Sequence, residues 1–431
     1  MLKNTLLGAA GRRRIRLRTL ARRAAGARRG ASKQAGGDPL RRLRGPAPGP
    51  CLPAVLAALA LLPSPAARAG VPADLLVPRL LADETYSEGW EQLVRFADGS
   101  LLAAHFMITN LGPGSHRGIV IATLTLPDGR SLLIKNGRPR KAWQPLSGPT
   151  GLGIARHRLE RRADGYRLRL KNSVAEVELR FRPTLPPWDL GRLWTDRGVG
   201  RYQDVYYYAP RLVAEGRYRP GPASGGSDDG PWRPLAGGRG YALRYVNSTG
   251  AHRLLRHRLR LTSLDDGPEA VTGELVVTLG GGLRGRLARW RDGRRVWDRP
   301  LERLQRVPRN GDRPLAEAEL AGPGLRLRLE APRLLQRFDV LARMGLLERL
   351  LIGAYSRPVE RRYLARARLQ GPGGGAWQGR VLLEEVAVHP REEEARRLQL
   401  PPFAQIVGPR GGHPASAAGP APPILAFLPR H

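Results

Sequence analysis

A chain of 431 residues with a formal net charge of +36 is long enough to bury two or three hydrophobic cores, so its stability requires neither metals nor disulfides. The first 70 residues carry 15 of the 73 basic residues and one of the 37 acidic ones, which leaves a net charge of +22 on the remainder. The single cysteine, Cys51, excludes a disulfide framework and a zinc site built from cysteines.

Arginine supplies nearly all of the positive charge, since only five of the basic residues are lysine. One interpretation is attraction to phosphate-bearing surfaces such as nucleic acid or anionic lipid head groups. The other, which we favour, is a solvated arginine-rich surface that reflects GC-rich codon usage. Because the arginines are spread along many segments, we expect no nucleic-acid partner and keep an anionic membrane surface as a secondary one.

Residues 1–69 have the features of a basic leader and signal peptide. Residues 1–50 are basic and lack sustained apolar periodicity, which predicts that they are disordered or removed. The apolar run Leu52–Leu62 is shorter than the ~20 residues of a membrane helix, and Ala67-Arg68-Ala69 fits a small-x-small cleavage site. We predict cleavage after Ala69 and a periplasmic or extracellular location. The alternative is a buried core helix.

The chain from Trp90 to Phe181 has the pattern of an antiparallel β-domain, which we place at 78–235. Short alternating runs of polar and apolar residues are separated by dipeptides that suit tight hairpin turns. These are Asp98-Gly99, Asp128-Gly129, Asn136-Gly137 and Asp164-Gly165. The spacing predicts an all-β barrel or sandwich, because no helical pattern of 10–15 residues separates the runs.

The second half repeats this style, and we place a second β-domain at 236–395. Arginine and leucine alternate in 258–261 and 325–329, which predicts that arginine faces water and leucine the core. The stretch Leu334–Leu351 has apolar residues at helical spacing and predicts an amphipathic helix that closes one end of a barrel or, less expectedly, lies on a membrane. Residues 396–431 are rich in Pro, Gly and Ala and predict a disordered tail.

Two motifs are weak evidence for cofactor or metal chemistry. Gly280–Gly285 matches GxGxxG, but Asp292-Gly293 follows too soon for the helix that a dinucleotide site needs, so a hairpin loop is expected. His252 and His257 are five residues apart, which places them on opposite faces of a strand. We therefore predict no cofactor and no metal site.

The stretch Tyr202–Asn247 joins the two halves and is rich in tyrosine. Aromatic and hydrogen-bonding side chains on the inner face of a barrel can line a pocket for a long apolar ligand with one polar end. The alternative is ordinary barrel core and rim. The candidate ligand-binding residues are Trp90, His105, Asn110, Tyr206, Tyr208, Tyr241 and Asn247.

Three stretches, Tyr86–Gly114, Tyr206–Tyr218 and Gly238–Leu261, resemble the tandem lipocalin-like superfamily of AttH-like proteins, which includes carotenoid hydratases of the hydroxyneurosporene synthase type. The resemblance covers about residues 80–395 and implies two consecutive lipocalin-like antiparallel β-barrel domains and a lipid or isoprenoid ligand. In the family an acid–histidine pair follows Gly-x-Gly-Tyr. Here Ala242-Leu243-Arg244 follows Tyr241, which argues against hydratase chemistry and leaves Arg244 as a residue that could bind an anionic head group.

These observations give three functional hypotheses. The leading one is an exported, non-catalytic protein that binds or transfers a lipid, carotenoid or other isoprenoid. The second is a carotenoid hydratase-like lyase or cyclase, acting on an isoprenoid double bond, in which Asp204 or Glu215 replaces the missing acid. The third is a polyanion-binding surface protein. The sequence does not define the oligomeric state or the catalytic residues.

Overall fold

The computed structural model describes residues 74–388, apart from 112–113, 139–142, 147–150, 228, 309–314, 344–355 and 357. The described chain is nearly all antiparallel β-strand and forms two curled half-barrel sheets, a lipocalin-like fold. The predicted fold class is confirmed. The predicted leader, signal peptide and C-terminal tail lie outside the described residues.

The first sheet contains the twelve described strands of the N-terminal half. They are β1 Ser87–Arg95, β2 Leu101–Thr109, β3 Arg117–Thr125, β4 Ser131–Arg138, β5 Trp143–Leu146, β6 Gly151–Ile154, β7 His157–Arg162, β8 Gly165–Lys171, β9 Ala175–Pro183, β10 Trp188–Asp196, β11 Arg201–Pro220 and β12 Arg233–Asn247. The order across the sheet is β4-β3-β2-β1-β12-β11-β9-β8-β7-β6-β5, and β10 pairs with β11. The first and last strands, β1 and β12, are therefore neighbours.

The second sheet contains nine described strands in the same kind of arrangement. They are β13 Leu255–Ser263, β14 Glu269–Thr278, β15 Leu283–Arg291, β16 Arg294–Pro300, β17 Arg303–Pro308, β18 Leu315–Gly322, β19 Leu325–Asp339, β20 Val359–Gln370 and β21 Ala376–Ala387. The order is β16-β15-β14-β13-β21-β20-β19-β18-β17, so that β13 and β21 again join the first strand to the last.

Most of the predicted hairpin turns are present at the dipeptides that suggested them. Gly99, Gly129, Gly165 and Gly293 have positive φ angles of 93°, 84°, 148° and 72°, which glycine adopts without steric cost. Asn136-Gly137 is an exception, because both residues lie within β4, where Gly137 pairs with Ile119 of β3. Because β3 pairs with both residues, the chain stays extended at Asn136-Gly137 and does not turn.

The stretch predicted as an amphipathic helix begins as a strand. Its first residues, through Asp339, form the end of β19, where Leu334 pairs with Tyr363 of β20. A single turn at Leu341–Arg343 follows, and the rest of the stretch lies outside the described residues. Hydrogen bonding to β20 outweighs the local helical spacing of the leucines. The one α-helix among the described residues is α1, Ala251–Leu254, beside three 3₁₀ turns, and none of these helices is long and apolar enough to cross a membrane.

Three hydrophobic cores stabilise the fold. One lies on the inner face of the first sheet, one on the inner face of the second, and one between the two sheets. The chain passes from the first sheet to the second through α1, between Asn247 and Leu255. The proposed domain boundary at 235/236 therefore falls within β12, a strand of the first sheet. The division into two domains itself stays a prediction.

Candidate functional site

The contact between the two sheets carries an unusual concentration of charge. In 325–329 the leucines are buried and the arginines exposed, as predicted. In 258–261 the same alternation has a different result, because Arg260 is completely buried and Arg258 nearly so. Both arginines lie on the face of β13 that is covered by the first sheet. The expectation that they face water is therefore wrong.

We use the name inter-sheet network for nine buried or partly buried side chains in this contact. They are Glu91, Tyr207, Tyr241, Arg258, Arg260, Glu274, Glu360, Arg362 and Glu384. Arg260 is its centre: it pairs with Glu91 of the first sheet, and its Nε lies 3.0 Å from Glu274 Oε2. Its Nη1 is 3.7 Å from Glu384 Oε2. Such pairing offsets the large desolvation cost of a buried guanidinium.

Arg362 extends the network across β20 and β19. It binds Glu384 at 3.0 Å and Glu360 at 2.5 Å, and its Nη1 donates to Gln336 Oε1 at 2.5 Å. Gln336 in turn donates to Thr125 Oγ1 of the first sheet at 2.7 Å. The polar contacts therefore connect the two sheets at several strands.

Two tyrosines of the first sheet complete the buried part of the network. Tyr207 donates to Glu274 Oε2 at 2.9 Å and Tyr241 to Glu384 Oε2 at 3.0 Å. Burial, together with the neighbouring carboxylates, raises the pKa of both phenols, so that both remain protonated donors. Tyr241, a predicted ligand-binding residue, thus lies between the sheets and not inside a barrel.

One end of the network is partly open to solvent. The side chains of Glu91, Arg258 and Glu360 are 13%, 11% and 23% exposed, and that of His105 is 25% exposed. Tyr245 completes this open end: its hydroxyl lies 2.9 Å from His105 Nε2. Of these five groups, Tyr245 is buried in the inter-sheet core and the other four are partly exposed.

Gly89 makes the pairing of His105 and Tyr245 possible. It lies between them in the sheet, and a Cβ at this position would be 2.4 Å from His105 Nε2 and 2.7 Å from the Tyr245 ring. Any larger residue would displace one of the two rings. The glycine therefore defines the geometry of the open end.

The protonation states at the open end differ between its carboxylates. Burial opposes the ionisation of Glu91, but Arg258 and Arg260 outweigh it and lower its pKa to about 2. Burial raises the pKa of Glu360 against the effect of Arg362, and burial lowers the pKa of His105. The network has four glutamates and three arginines, so the acidic side chains outnumber the arginines by one. Glu360 is thus the candidate acid.

An apolar strip continues from the open end along the first sheet. Met107, Ile119 and Ile121 lie on the same face as His105, with His105 opposite Ile121 and Met107 opposite Ile119. All three are only partly buried, whereas their neighbours on the inner face are fully buried. The open end therefore combines polar groups with an adjoining apolar surface.

Four of the eight predicted residues lie instead on the inner face of the first sheet: Trp90, Tyr206, Tyr208 and Arg244. Trp90 and Tyr208 are fully buried members of the core there, and Tyr206 packs against it. Asn247 lies on the opposite face of β12, which it shares with Tyr241 and Tyr245. It is 2% exposed and connects Gln203 to Ser87 by hydrogen bonds of 2.8 and 3.0 Å. Asn110 organises a loop through Leu81, Asp83 and His116.

The donors of Arg244 are directed at internal acceptors. Its Nε donates to Glu88 Oε1 at 2.6 Å, and its Nη2 donates to the Val77 carbonyl at 2.8 Å. Trp90, over which the guanidinium lies, donates from Nε1 to the Leu75 carbonyl at 2.9 Å. Arg244 therefore anchors the chain segment Asp74–Val77 at the mouth of the first half-barrel.

Neither replacement acid suggested by the sequence has a suitable environment. Asp204 is paired with Arg79 at 2.6 Å and Arg192 at 2.9 Å, and these arginines outweigh its desolvation and lower its pKa. Glu215 is exposed on β11. The acids and arginines of the inter-sheet network were not identified from the sequence. The one signal for them was the strict alternation of arginines in β13, whose neighbouring strands carry Glu274 and Glu384.

A second polar cluster lies on the inner face of the second sheet. His257 Nε2 is 2.9 Å from Glu385 Oε1, and Tyr363 donates to Glu385 Oε2 at 2.8 Å. All three residues are buried. In the part of the chain that the structure describes, no group of three or more His, Cys, Asp or Glu side chains could hold a metal ion.

Comparison with known proteins gives structural similarity only. No protein-family model matches the chain, and no curated protein is significantly similar to it in sequence. The fold is similar to two crystal structures of CghA, each with a TM-score of 0.48 and 14% sequence identity. The one with Sch210972 is matched over 71% of this chain and 89% of CghA, and the other over 74% and 95%. Proteins that share a fold at such low identity can differ in function.

Proposed function

We propose that the protein binds an apolar small molecule with one polar end at the open end of the inter-sheet network. This proposal rests on the polar side chains of the open end, which lie beside the apolar strip of Met107, Ile119 and Ile121. Ligand sites typically combine an apolar lining with a few convergent polar groups. The two barrel interiors hold packed cores, whereas the open end keeps partly exposed polar side chains, which favours the open end as the site.

The polar groups define what the polar end of the ligand must offer. Burial raises the pKa of Glu360, and in its protonated form this carboxyl donates a hydrogen bond, for which a ligand carbonyl or hydroxyl oxygen is a suitable acceptor. The ionised Glu91 accepts from a ligand hydroxyl. A hydroxylated or ketonic lipid, carotenoid or other isoprenoid combines both requirements with an apolar body. Binding without conversion is the simplest role for such a site.

Binding is tested with a polyene probe such as cis-parinaric acid, read by fluorescence, and by native mass spectrometry with lipid extraction. Ile121→Gln should weaken probe binding by about tenfold, the expected loss for one buried aliphatic side chain. Val296→Gln is the matched control, since Val296 is an exposed residue of the second sheet. Equal affinity in both variants, or a protein that is consistently ligand-free and binds no polyene, would refute the proposal.

A second candidate function is acid catalysis on an isoprenoid double bond, which the raised pKa of the Glu360 carboxyl favours. Glu360 would transfer its proton to one alkene carbon. Water, or a second double bond of the same molecule, would attack the resulting cation, and the proton released afterwards would return to Glu360. This would be hydratase or cyclase chemistry.

Incubation with an acyclic carotenoid, followed by chromatography, separates binding from catalysis. If Glu360 is the acid, the wild type forms product while Glu360→Gln binds the substrate and forms none. Formation of product by Glu360→Gln would exclude this acid. Absence of product from the wild type, under conditions in which a carotenoid hydratase works, supports the binding role.

Export and the AttH-like relationship remain part of the proposal. The residues Ala67-Arg68-Ala69 and the preceding apolar run support cleavage by signal peptidase. N-terminal sequencing of the protein from the periplasmic or extracellular fraction should begin at Gly70. A cytoplasmic protein that retains the leader would contradict export without affecting the ligand site.

A further inference from the structure

Two pairs of arginines lie directly opposite each other on neighbouring strands at the rim of the inter-sheet contact. Arg95 of β1 pairs in register with Arg239 of β12, and Arg366 of β20 pairs with Arg380 of β21. Like charges in directly opposed positions destabilise a sheet. Both pairs nevertheless stand at the same edge of the fold.

The packing between the sheets brings these two pairs together. Leu93, two residues before Arg95, packs in the inter-sheet core with Leu364 and Leu382. These two leucines are paired with each other and lie next to Arg366 and Arg380 on the same face of the second sheet. Side chains two residues apart in a strand lie on the same face. Both arginine pairs therefore lie one position beyond these leucines, at the rim of the inter-sheet core.

A short loop confirms that the two pairs are neighbours. Arg239 Nε lies 2.6 Å from Asp266 Oδ1, and Arg380 Nε lies 2.9 Å from Asp265 Oδ1. The two aspartates are consecutive in the chain, and one contacts an arginine of the first pair while the other contacts an arginine of the second pair.

The positive charge of this rim is only partly neutralised. Nε of Arg95 is buried and has no hydrogen-bond partner among the described residues. Burial, followed by the nearby charges of Arg333 and Arg380, lowers the pKa of Arg95, and Asp98 acts in the opposite direction. Arg366 is exposed and forms no ion pair with any residue that the structure describes. The neighbouring acid Asp98 accepts hydrogen bonds from its own turn, at Ser100.

We propose that Arg95, Arg239, Arg366 and Arg380 form an oxyanion-binding site for a phosphate- or diphosphate-bearing small molecule at the rim between the two sheets. Guanidinium groups match phosphate oxygens in charge and in hydrogen-bond geometry. A bound phosphate would supply a partner for Arg95 and relieve the repulsion within both pairs. The site is independent of the ligand site at the open end of the inter-sheet network.

The test is calorimetric titration of the intact protein with inorganic phosphate and with pyrophosphate, at constant ionic strength set with NaCl. We expect saturable binding of one pyrophosphate per chain, with phosphate weaker. Arg95→Gln and Arg366→Gln should each weaken pyrophosphate binding by about tenfold, the loss expected for one charge-assisted contact. Arg180→Gln, an exposed arginine of β9, is the matched control and should bind as the wild type does.

Thermal unfolding with and without added pyrophosphate gives an independent measurement. Arg366→Gln removes the repulsion from Arg380 and also the attraction of Glu330, which lies opposite Arg366 on β19, and it should reduce the rise in melting temperature that pyrophosphate gives the wild type. Equal pyrophosphate affinity in all three variants would overturn the proposal. Duplex DNA or citrate binding at this rim without competition from pyrophosphate would overturn it too, because the site would then serve a macromolecule or a carboxylate.

Discussion

Gly89 is a residue whose lack of a side chain has a structural purpose. The His105 and Tyr245 side chains form their hydrogen bond over the backbone of Gly89. A methyl group on Gly89 would lie 2.4 Å from His105 Nε2. The two rings approach each other from strands on either side of β1. Their hydrogen bond therefore depends on an empty position in the strand between them.

Gly89→Ala should lower the free energy of unfolding by about 1–3 kcal/mol, the usual cost of overpacking a tight site. In Gly89→Ala/His105→Ala the clash with His105 is removed and the one with the Tyr245 ring remains, so the double variant should lose less than the sum of the two single variants. Urea denaturation measures all three. Gly267→Ala is the control, since a Cβ there meets nothing within 4 Å. Strict additivity of the two substitutions would contradict the contact.

The N-terminal segment Asp74–Leu81 shows how a stretch without regular structure can act as a structural element. Leu75 and Leu76 are buried in the core of the first half-barrel, and the carbonyls of Asp74 and Val77 accept from Arg244. The backbone N–H of Arg79 donates to Glu88 Oε2 at 2.8 Å. The segment therefore both covers the core and satisfies a buried ion pair.

A chain that begins at Pro78 should be less stable than one that begins at Gly70, by about 3–6 kcal/mol. Two buried leucines at ~1.5–3 kcal/mol each account for this difference. The comparison is made by urea denaturation of both truncated proteins, with near-ultraviolet circular dichroism to verify that each is folded. Equal stabilities would show that Leu75 and Leu76 do not cover the core in solution.

At the scale of the whole molecule, the two sheets are joined by charges as well as by apolar packing. Glu91, Tyr207 and Tyr241 of the first sheet contact Arg260, Glu274 and Glu384 of the second. Removal of one charge from such a network leaves its partners buried and unpaired. The relative stability of the inter-sheet contact should therefore depend on pH.

Glu91 sets the direction of this dependence in acid. Its pKa is about 2 in the folded chain and about 4.3 in an unfolded one. Its contribution, of about 3 kcal/mol, is therefore complete above the unfolded value and is lost as the pH falls toward 2. Glu360 acts in the opposite direction: its raised pKa stabilises the fold at low pH and loses that effect as the pH rises through the folded value.

Denaturation of the wild type and Glu91→Gln between pH 2 and 5 checks this sign. The free energy of unfolding of the wild type should fall on acidification more steeply than that of the variant. Glu302→Gln, a substitution of an exposed glutamate, should follow the wild type. Parallel curves for the wild type and Glu91→Gln would show that Glu91 does not carry this contribution.

The period of two predicted the strands and their antiparallel pairing well, as in 325–329, where leucines are buried and arginines exposed. It did not predict that Arg260 is buried, because alternation separates the two faces of a strand but gives no information on what packs against each face. Arg260 and Glu91 are 169 residues apart, so their pairing has no local signal. The tyrosines of β11 were predicted to line a pocket on the inner face of a barrel, but Tyr207 and Tyr208 are both fully buried and face opposite sides of the sheet.

The pairing of first and last strands has a consequence for how the chain reaches this fold. Ser87 of β1 lies beside Asn247 of β12 in the sheet, 160 residues away along the chain. During synthesis, the edge of β1 that β12 will occupy has no partner until the ribosome has released residue 247. Contacts of such long range slow folding and leave a strand edge available for aggregation. Biosynthesis therefore exposes the strand that carries Trp90 and Glu91 for longer than any hairpin within the same sheet.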